Sequence, residues 1–419
     1  MIAQYDESLF GDLWPLVQDD NVTDIKWNGT NLWINDLTKG RYMMTNGDNT
    51  PFTLDTDFIE KFCKRISNME NVNFNRSEPS LKSDTPELRI QAEHNSVSGD
   101  DTIAFTIRKT PCVSRLANQD LIAAGYCDEL VLSLLPCLMR AHCSGIITGD
   151  VGSGKTELEK YMAGFIPYTD GIVTVEDTLE MRLKMIYPGK DIYSIKITDE
   201  FTQEMAIRDA LRLMTKWLVI AESRGRDIAR VMEGASTGCC ALTSIHAENT
   251  WEIPDRIMNM VGEEARMGFE NDVFTFFDYA IKVKADVRPD GIHRSIDQIS
   301  FFERKDKENI TTNFIVDGKL TGNPLPENLI KKILANRKQE GDYEDKFMNL
   351  YESSEYELEK PVVSQKKEYF NKPKKNNNYQ PNNKPVNKVV EEHKESEVKA
   401  EQKPRRRIIL DDEESELLD

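Results

Sequence analysis

From about Asn118 the chain sets short, nearly pure apolar runs against longer amphipathic ones. Residues 145–148, 172–175, 217–221, 241–245 and 279–283 have the length and content of strands buried on both faces. Residues 203–214 and 227–233 lie between such runs and space their apolar positions as helices do. Strands alternating with helices predict an α/β fold with a mostly parallel sheet, and ligands gather at the carboxyl ends of such strands. Upstream, the runs are shorter: Ile25-Lys26-Trp27, Leu32-Trp33-Ile34 and residues 102–107 read as strands, with a helical pattern over 58–66. Asn28-Gly29 is a turn dipeptide that predicts a hairpin between the first two. Four segments are expected: a smaller N-terminal α/β domain over 1–112, the alternating domain over 113–330, a helical segment over 331–355 and a disordered tail over 356–419.

The tail is expected from composition. Residues 366–388 are rich in Lys, Asn and Pro, and Glu/Lys repeats follow, too few apolar groups to offset chain entropy. Its tip differs: Arg405-Arg406-Arg407-Ile408-Ile409-Leu410 precedes Asp411-Asp412-Glu413-Glu414, a block suited to docking on a partner, or else a solvated end with none.

Charge and cysteine content narrow the function. A net charge of −18 over 419 residues argues against a general nucleic-acid binder, which needs basic surface to displace counterions. The 7 cysteines form no C-x-x-C pair, so they read as reduced thiols rather than a zinc site or disulfide frame. Residues 1–7 are acidic and lack the pattern of a signal peptide, and no apolar run approaches ~20 residues. A cytoplasmic location follows as the expectation.

One segment carries explicit chemistry. Gly149-Asp150-Val151-Gly152-Ser153-Gly154-Lys155-Thr156 is a complete G-x-x-x-x-G-K-[ST] loop, preceded by a strand-like run and followed by a helical pattern from Glu157 to Phe165. Backbone N–H groups and a helix N-terminus can there wrap a polyphosphate. Lys155 is placed to neutralise the β- and γ-oxygens, and Thr156 to offer its hydroxyl to Mg²⁺ of bound ATP. Asp150 and Glu157 put acids beside the phosphates. Hydrolysis would further need carboxylates, a γ-phosphate sensor and a cation. The run 217–221 ends in Glu222, 172–175 in Glu176 and Asp177, and 241–245 in His246.

These segments, in this order, resemble the type II/type IV secretion ATPases, the hexameric traffic ATPases of secretion systems, conjugation machines and pili. The loop stands for that family's Walker A box, Val175-Glu176-Asp177-Thr178-Leu179-Glu180 for its aspartate box, Glu222-Ser223-Arg224-Gly225 for Walker B, and Thr237-Gly238 with Ser244-Ile245-His246-Ala247 for its histidine box. Val22-Thr23-Asp24-Ile25-Lys26-Trp27-Asn28-Gly29 and Phe105-Thr106-Ile107-Arg108-Lys109 resemble the N-terminal domain of the conjugation and tight-adherence branch. The resemblance covers residues 12 to about 305. It implies a RecA-like P-loop ATPase domain in a homohexameric ring at the inner face of the membrane, partnered by membrane-embedded platform proteins, with no direct nucleic-acid binding.

Residue by residue, it implies Glu176 orienting or deprotonating the water, and Glu222 supporting the metal and water. His246 would sense the γ-phosphate and Arg108 close over the nucleotide, with Arg224 and Arg212 as further cations. The chain departs from the family at Cys239, where a histidine is usual, at Ala221, where glycine is, and at Thr215-Lys216, where Pro-Asp is. Two other readings stay open: a nucleotide-gated scaffold that does not hydrolyse, and a DNA-directed RecA-like motor. A GTPase is disfavoured by the lack of an Asn-Lys-x-Asp motif.

Overall fold

The structure, a computed structural model, describes residues 5–353 apart from 86, 224, 226, 263–267, 289–290 and 337–341. The expected tail, 356–419, lies outside the described residues. Two sheets organise what is described.

The first is antiparallel and takes its strands from the first 109 residues. β1 (Val22–Trp27), β2 (Leu32–Asp36), β3 (Gly40–Met43), β4 (Ser80–Asp84), β5 (Leu88–Glu93) and β6 (Ala104–Lys109) run in the order β3-β2-β1-β6-β5-β4. The Asn28-Gly29 turn joins β1 to β2 as expected, with Asn28 Oδ1 accepting from the amides of Thr30 and Asn31. Alternation along β5 buries Leu88, Ile90 and Ala92 on one face. Helices α1 (Glu7–Phe10), α2 (Trp14–Gln18) and α3 (Thr56–Glu70) supply the other wall of this core. On α3 the buried set Ile59, Phe62, Cys63 and Ile66 follows the i, i+3, i+4, i+7 spacing, which fixes the face turned to the strands. The helix stops where Asn71 takes the left-handed conformation.

The second sheet has nine strands. β7 (Gly145–Thr148), β8 (Ile172–Glu176), β9 (Ile192–Lys196), β10 (Trp217–Ile220), β11 (Cys240–Ser244), β12 (Tyr279–Arg288), β13 (Gly291–Lys305), β14 (Glu308–Val316) and β15 (Lys319–Leu320) lie in the order β15-β14-β13-β12-β7-β11-β10-β8-β9. From β9 across to β12 the ladders are parallel; from β12 to β15 they are antiparallel.

Successive residues of the parallel strands face opposite cores, which is why both sets are apolar. Ile147, Val219 and Leu242 pack on one side with helices α4 (Glu129–Arg140) and α5 (Lys155–Ala163). Ile146, Leu218, Ile220 and Ala241 pack on the other with α7 (Gln203–Ala210) and α8 (Asp227–Ser236), which follow the short α6 (Leu183–Ile186), and with α9 (Ile253–Val261) and α10 (Phe269–Phe276). The first side is completed by α11 (Glu327–Ala335) and α12 (Tyr343–Ser353), through Leu329, Ile333 and Phe347. Trp217 is fully buried at the start of β10, and truncating it to Ala costs about 3–5 kcal/mol by cavity formation.

The helical pattern read over 203–214 ends earlier. Thr202 caps α7, and the helix closes at Ala210 because the chain must turn through a left-handed Met214 into β10.

Candidate functional site

The phosphate loop joins the end of β7 to the start of α5, so its position is set by a buried strand on one side and a helix N-terminus on the other. Gly149 has a φ of +144° and lies so close to its neighbours that a Cβ would meet Val283 O at 2.2 Å and Ser153 Oγ at 2.7 Å. Only glycine fits there. Gly154, at φ +102°, passes from the loop into α5. The side chain of Lys155 folds back over the loop, donating from Nζ to Gly149 O at 2.9 Å and Asp150 O at 3.1 Å. Burial lowers its pKa, against the opposing pull of Glu222, Glu159 and Asp150.

Register brings the other polar strand ends to the same edge. Because β10 and β11 are parallel neighbours and β11 is parallel to β7, Glu222 and His246 leave the sheet beside the loop. His246 Nε2 lies 3.3 Å from Glu222 Oε1. Thr148 ties this edge to the loop: its hydroxyl donates to Ala247 O and accepts from Ala247 N–H, both at 2.9 Å.

Glu176 takes a different place. It is buried, and its carboxylate accepts from the Thr174 hydroxyl at 3.0 Å and from the amides of Glu180 and Met181 at 2.8 Å. Burial pushes its pKa up, while those three bonds hold it down. Oε2 is thus engaged by the two amides in fixing residues 176–181, and Oε1 by Thr174.

That segment meets the first sheet. Arg108 Nε is 2.7 Å from Asp24 Oδ1, and Arg108 and Arg89 both stand 3.9 Å from Glu180 Oε1. Arg182 Nη2 donates to Thr85 O at 2.6 Å. The contacts of Arg108 therefore run to Asp24 and the 176–181 segment. Arg212 is exposed and pairs with Asp209 at 3.5 Å, on the loop that enters β10 from its opposite end. Arg224 lies outside the described residues.

Sequence reasoning missed three groups. Arg294, on β13, donates from Nε and Nη2 to Gly152 O at 3.4 Å and covers Gly154. Its strand is polar at that end, so no apolar pattern announced it. The amide of Arg115 donates to Glu157 Oε2 at 3.1 Å, while Glu157 Oε1 pairs with buried Lys160 at 2.9 Å. Glu157 thus joins the helix to the linker before it. The third is Glu159, fully buried one turn into α5, with neither carboxylate oxygen hydrogen-bonded among the described residues. Its spacing of four from Lys155 was a signal available in the sequence.

Among the described residues no group of three or more His, Cys, Asp and Glu side chains could hold a metal ion. This donor set fits Mg²⁺, which binds through one or two protein oxygens plus phosphates and waters. Thr156 and Glu222 are the groups that the sequence offers for it.

With this geometry, the chain matches the family model described as Type II/IV secretion system protein over residues 101–275. The match covers that region of the chain. Both the loop and the Glu222–His246 edge fall inside it. An uncharacterized protein of Bacillus anthracis is 24% identical over 274 residues, 64% of this chain and 60% of that protein. A Mycobacterium tuberculosis protein provisionally named for conjugal transfer is 30% identical over 155 residues, 35% of this chain and 43% of that protein. The chain thus spans about half the length of these relatives. The solved ATPase DotB of Yersinia pseudotuberculosis is 17% identical, aligning over 72% of this chain and 80% of that one with a TM-score of 0.54, a likeness of fold. The mixed α/β class expected from the sequence is the class observed, and the likeness to DotB is one of fold. No helix among the described residues is long and apolar enough to cross a membrane.

Proposed function

We propose that this chain is the motor subunit of a secretion, conjugation or pilus-assembly machine, hydrolysing ATP at the loop of residues 149–156. The observation that carries this reading is the meeting of Lys155, Glu222 and His246 at one strand edge. Lys155 leaves the Gly149 and Asp150 carbonyls for the β- and γ-oxygens, and the freed loop amides hold the remaining phosphate charge. Thr156 and Glu222 would hold Mg²⁺, which supplies charge neutralisation between the phosphates. Glu222, half-exposed and able to shed its imidazole partner, orients and deprotonates the attacking water. Water oxygen bonds to the γ-phosphorus, the β–γ bridging bond breaks, and the proton passes by way of Glu222 to the released phosphate. His246 reports the γ-phosphate, since any shift of Glu222 moves its partner. Glu176 acts through structure, holding residues 176–181 against the first sheet, from which Arg108 swings toward the nucleotide.

The domains over 1–112 and 113–330 move against one another in this cycle. Six copies form a closed ring that supplies the lid each site lacks, docked on membrane platform proteins. Phosphate release by the purified full chain with Mg²⁺ and ATP tests the reading. Turnover lost in Lys155→Ala supports it. Tight nucleotide binding without phosphate release would instead establish a nucleotide-gated scaffold, and salt-sensitive DNA binding by the protein would revive a DNA-directed motor.

A further inference from the structure

Glu159 stands where a carboxylate has no structural reason to be. It lies four residues after Lys155 and three after Thr156 on α5, and so on the same helix face. Helical side chains tilt toward the N-terminus, so it is aimed back toward the phosphate-binding turn. Its relative exposure is 0%, and both Oε1 and Oε2 lack a hydrogen-bond partner among the described residues. An ionised carboxylate in that state is far too costly, so the group folds as the neutral acid.

The charged and titratable groups around it come from several elements. On α5 itself, Lys155, Lys160 and Glu157 are near, and Lys160 is engaged by Glu157. Glu176 comes from the end of β8 and Glu222 from beyond β10, while β12 brings Tyr279. The linker brings Arg115, whose amide bonds to Glu157. Helix α4 and strands β7 and β11 turn Leu134, Leu138, Ile147 and Leu242 into this core. With Lys160 paired to Glu157, Glu176, Glu222 and Lys155 remain as the charges acting on Glu159, and Lys155 is the cation a triphosphate must claim. Were Glu159 to ionise, it would compete with the nucleotide for that lysine and repel its phosphates. At an interior dielectric near 20, this repulsion across a helical turn weakens binding by about tenfold or more.

We propose that Glu159 is a charge gate on the phosphate loop: the site accepts a nucleoside triphosphate while Glu159 keeps its proton and releases it when that proton is lost. This rests on the reading of residues 149–156 as a triphosphate site. Binding is then linked to protons, because a bound polyanion holds the Glu159 proton more firmly. Burial raises the acid well above the usual carboxylate range, so affinity stays level while the free protein keeps that proton and falls as pH rises beyond the raised value.

The test measures affinity for a fluorescent ATP analogue between pH 6 and 9, in the full chain and in Glu159→Gln. The wild type is expected to lose about tenfold in affinity toward alkaline pH while the amide variant stays nearly level. Calorimetry in two buffers of different ionisation enthalpy should show proton uptake at alkaline pH in the wild type. Parallel falls in both proteins overturn the gate, and so does the absence of proton uptake in the wild type, a readout that stands even where the variant fails to fold. Loss of binding at every pH in the wild type overturns the triphosphate reading as well.

Discussion

His246 Nε2 and Glu222 Oε1 lie 3.3 Å apart, so two neighbouring parallel strands end in an acid and an imidazole side by side next to the phosphate loop. Glu222 keeps partial solvent access, with 28% of its side chain exposed, whereas Glu176 is sealed under its own loop. A base must reach its water, and for the proposed hydrolysis this contrast favours Glu222 over Glu176.

Glu222→Gln is therefore expected to cut phosphate release by about 10²-fold or more while leaving ATP-analogue affinity within a few-fold, since an amide still hydrogen-bonds but takes no proton. Glu176→Gln should behave otherwise. An amide presents one acceptor where the carboxylate serves three donors, so the variant loses thermal stability along with activity. Normal turnover in Glu222→Gln, measured beside full nucleotide binding, would move the base elsewhere.

Lys155→Ala should remove turnover by a factor of about 10²–10³ or more, the cost of one preorganised charge at a transferring phosphoryl group. Among the described residues the lysine side chain bonds only to carbonyls of its own loop, so little folding energy rests on it. A melting temperature near that of wild type, with phosphate release gone, is the expected pair of results. A fold that collapses without the lysine would contradict this.

Glu180 is held by Arg108 and Arg89 at 3.9 Å, across pairs whose side chains are 51%, 35% and 30% exposed. Such solvated pairs contribute under about 1 kcal/mol, so Glu180→Ala should hardly shift the melting temperature. Its effect should appear locally. Amides of residues 177–182 are expected to exchange hydrogen faster, because the first sheet no longer anchors that segment through Glu180. Unchanged exchange there would mean that the Arg182–Thr85 contact alone holds the two together.

How much of this was legible in the sequence depends on how each residue announces itself. The phosphate loop and the polar ends Glu222 and His246 were readable because a buried strand gives a purely apolar run, and its first polar residue marks the edge. The long β13–β14 hairpin was not. Only the middle of β13 is buried, so its ends show no period, and Arg294 arrives at Gly152 unannounced. Glu176 carried the right motif but a different occupation, since sequence shows a carboxylate at a strand end and not the amides of Glu180 and Met181 that fill it. Glu159 was passed over because a polar residue in a helix is ordinarily taken for a solvated one.

That burial yields a stability prediction independent of nucleotide. Glu159 has its acid raised by desolvation first, with Glu176 and Glu222 adding to the rise and Lys155 opposing it. In the unfolded chain the same group ionises near pH 4.3. Below that value both states carry the proton and Glu159 costs nothing through ionisation. As pH climbs from there toward the raised folded value, the unfolded state releases the proton and the folded state does not, so folding stability falls steadily. Replacing the group by methionine, of similar volume and without a charge, removes this loss and leaves a better match to the surrounding Leu158 and Met162 core. Thermal melts of the nucleotide-free Glu159→Met variant and the wild type should thus nearly coincide in slope below pH 5 and separate by a few degrees at pH 8, with the variant the more stable. A gap that stays constant across that range would show that Glu159 titrates normally in the folded protein, and an inverted gap would show that its carboxylate has a partner that stabilises the charged form.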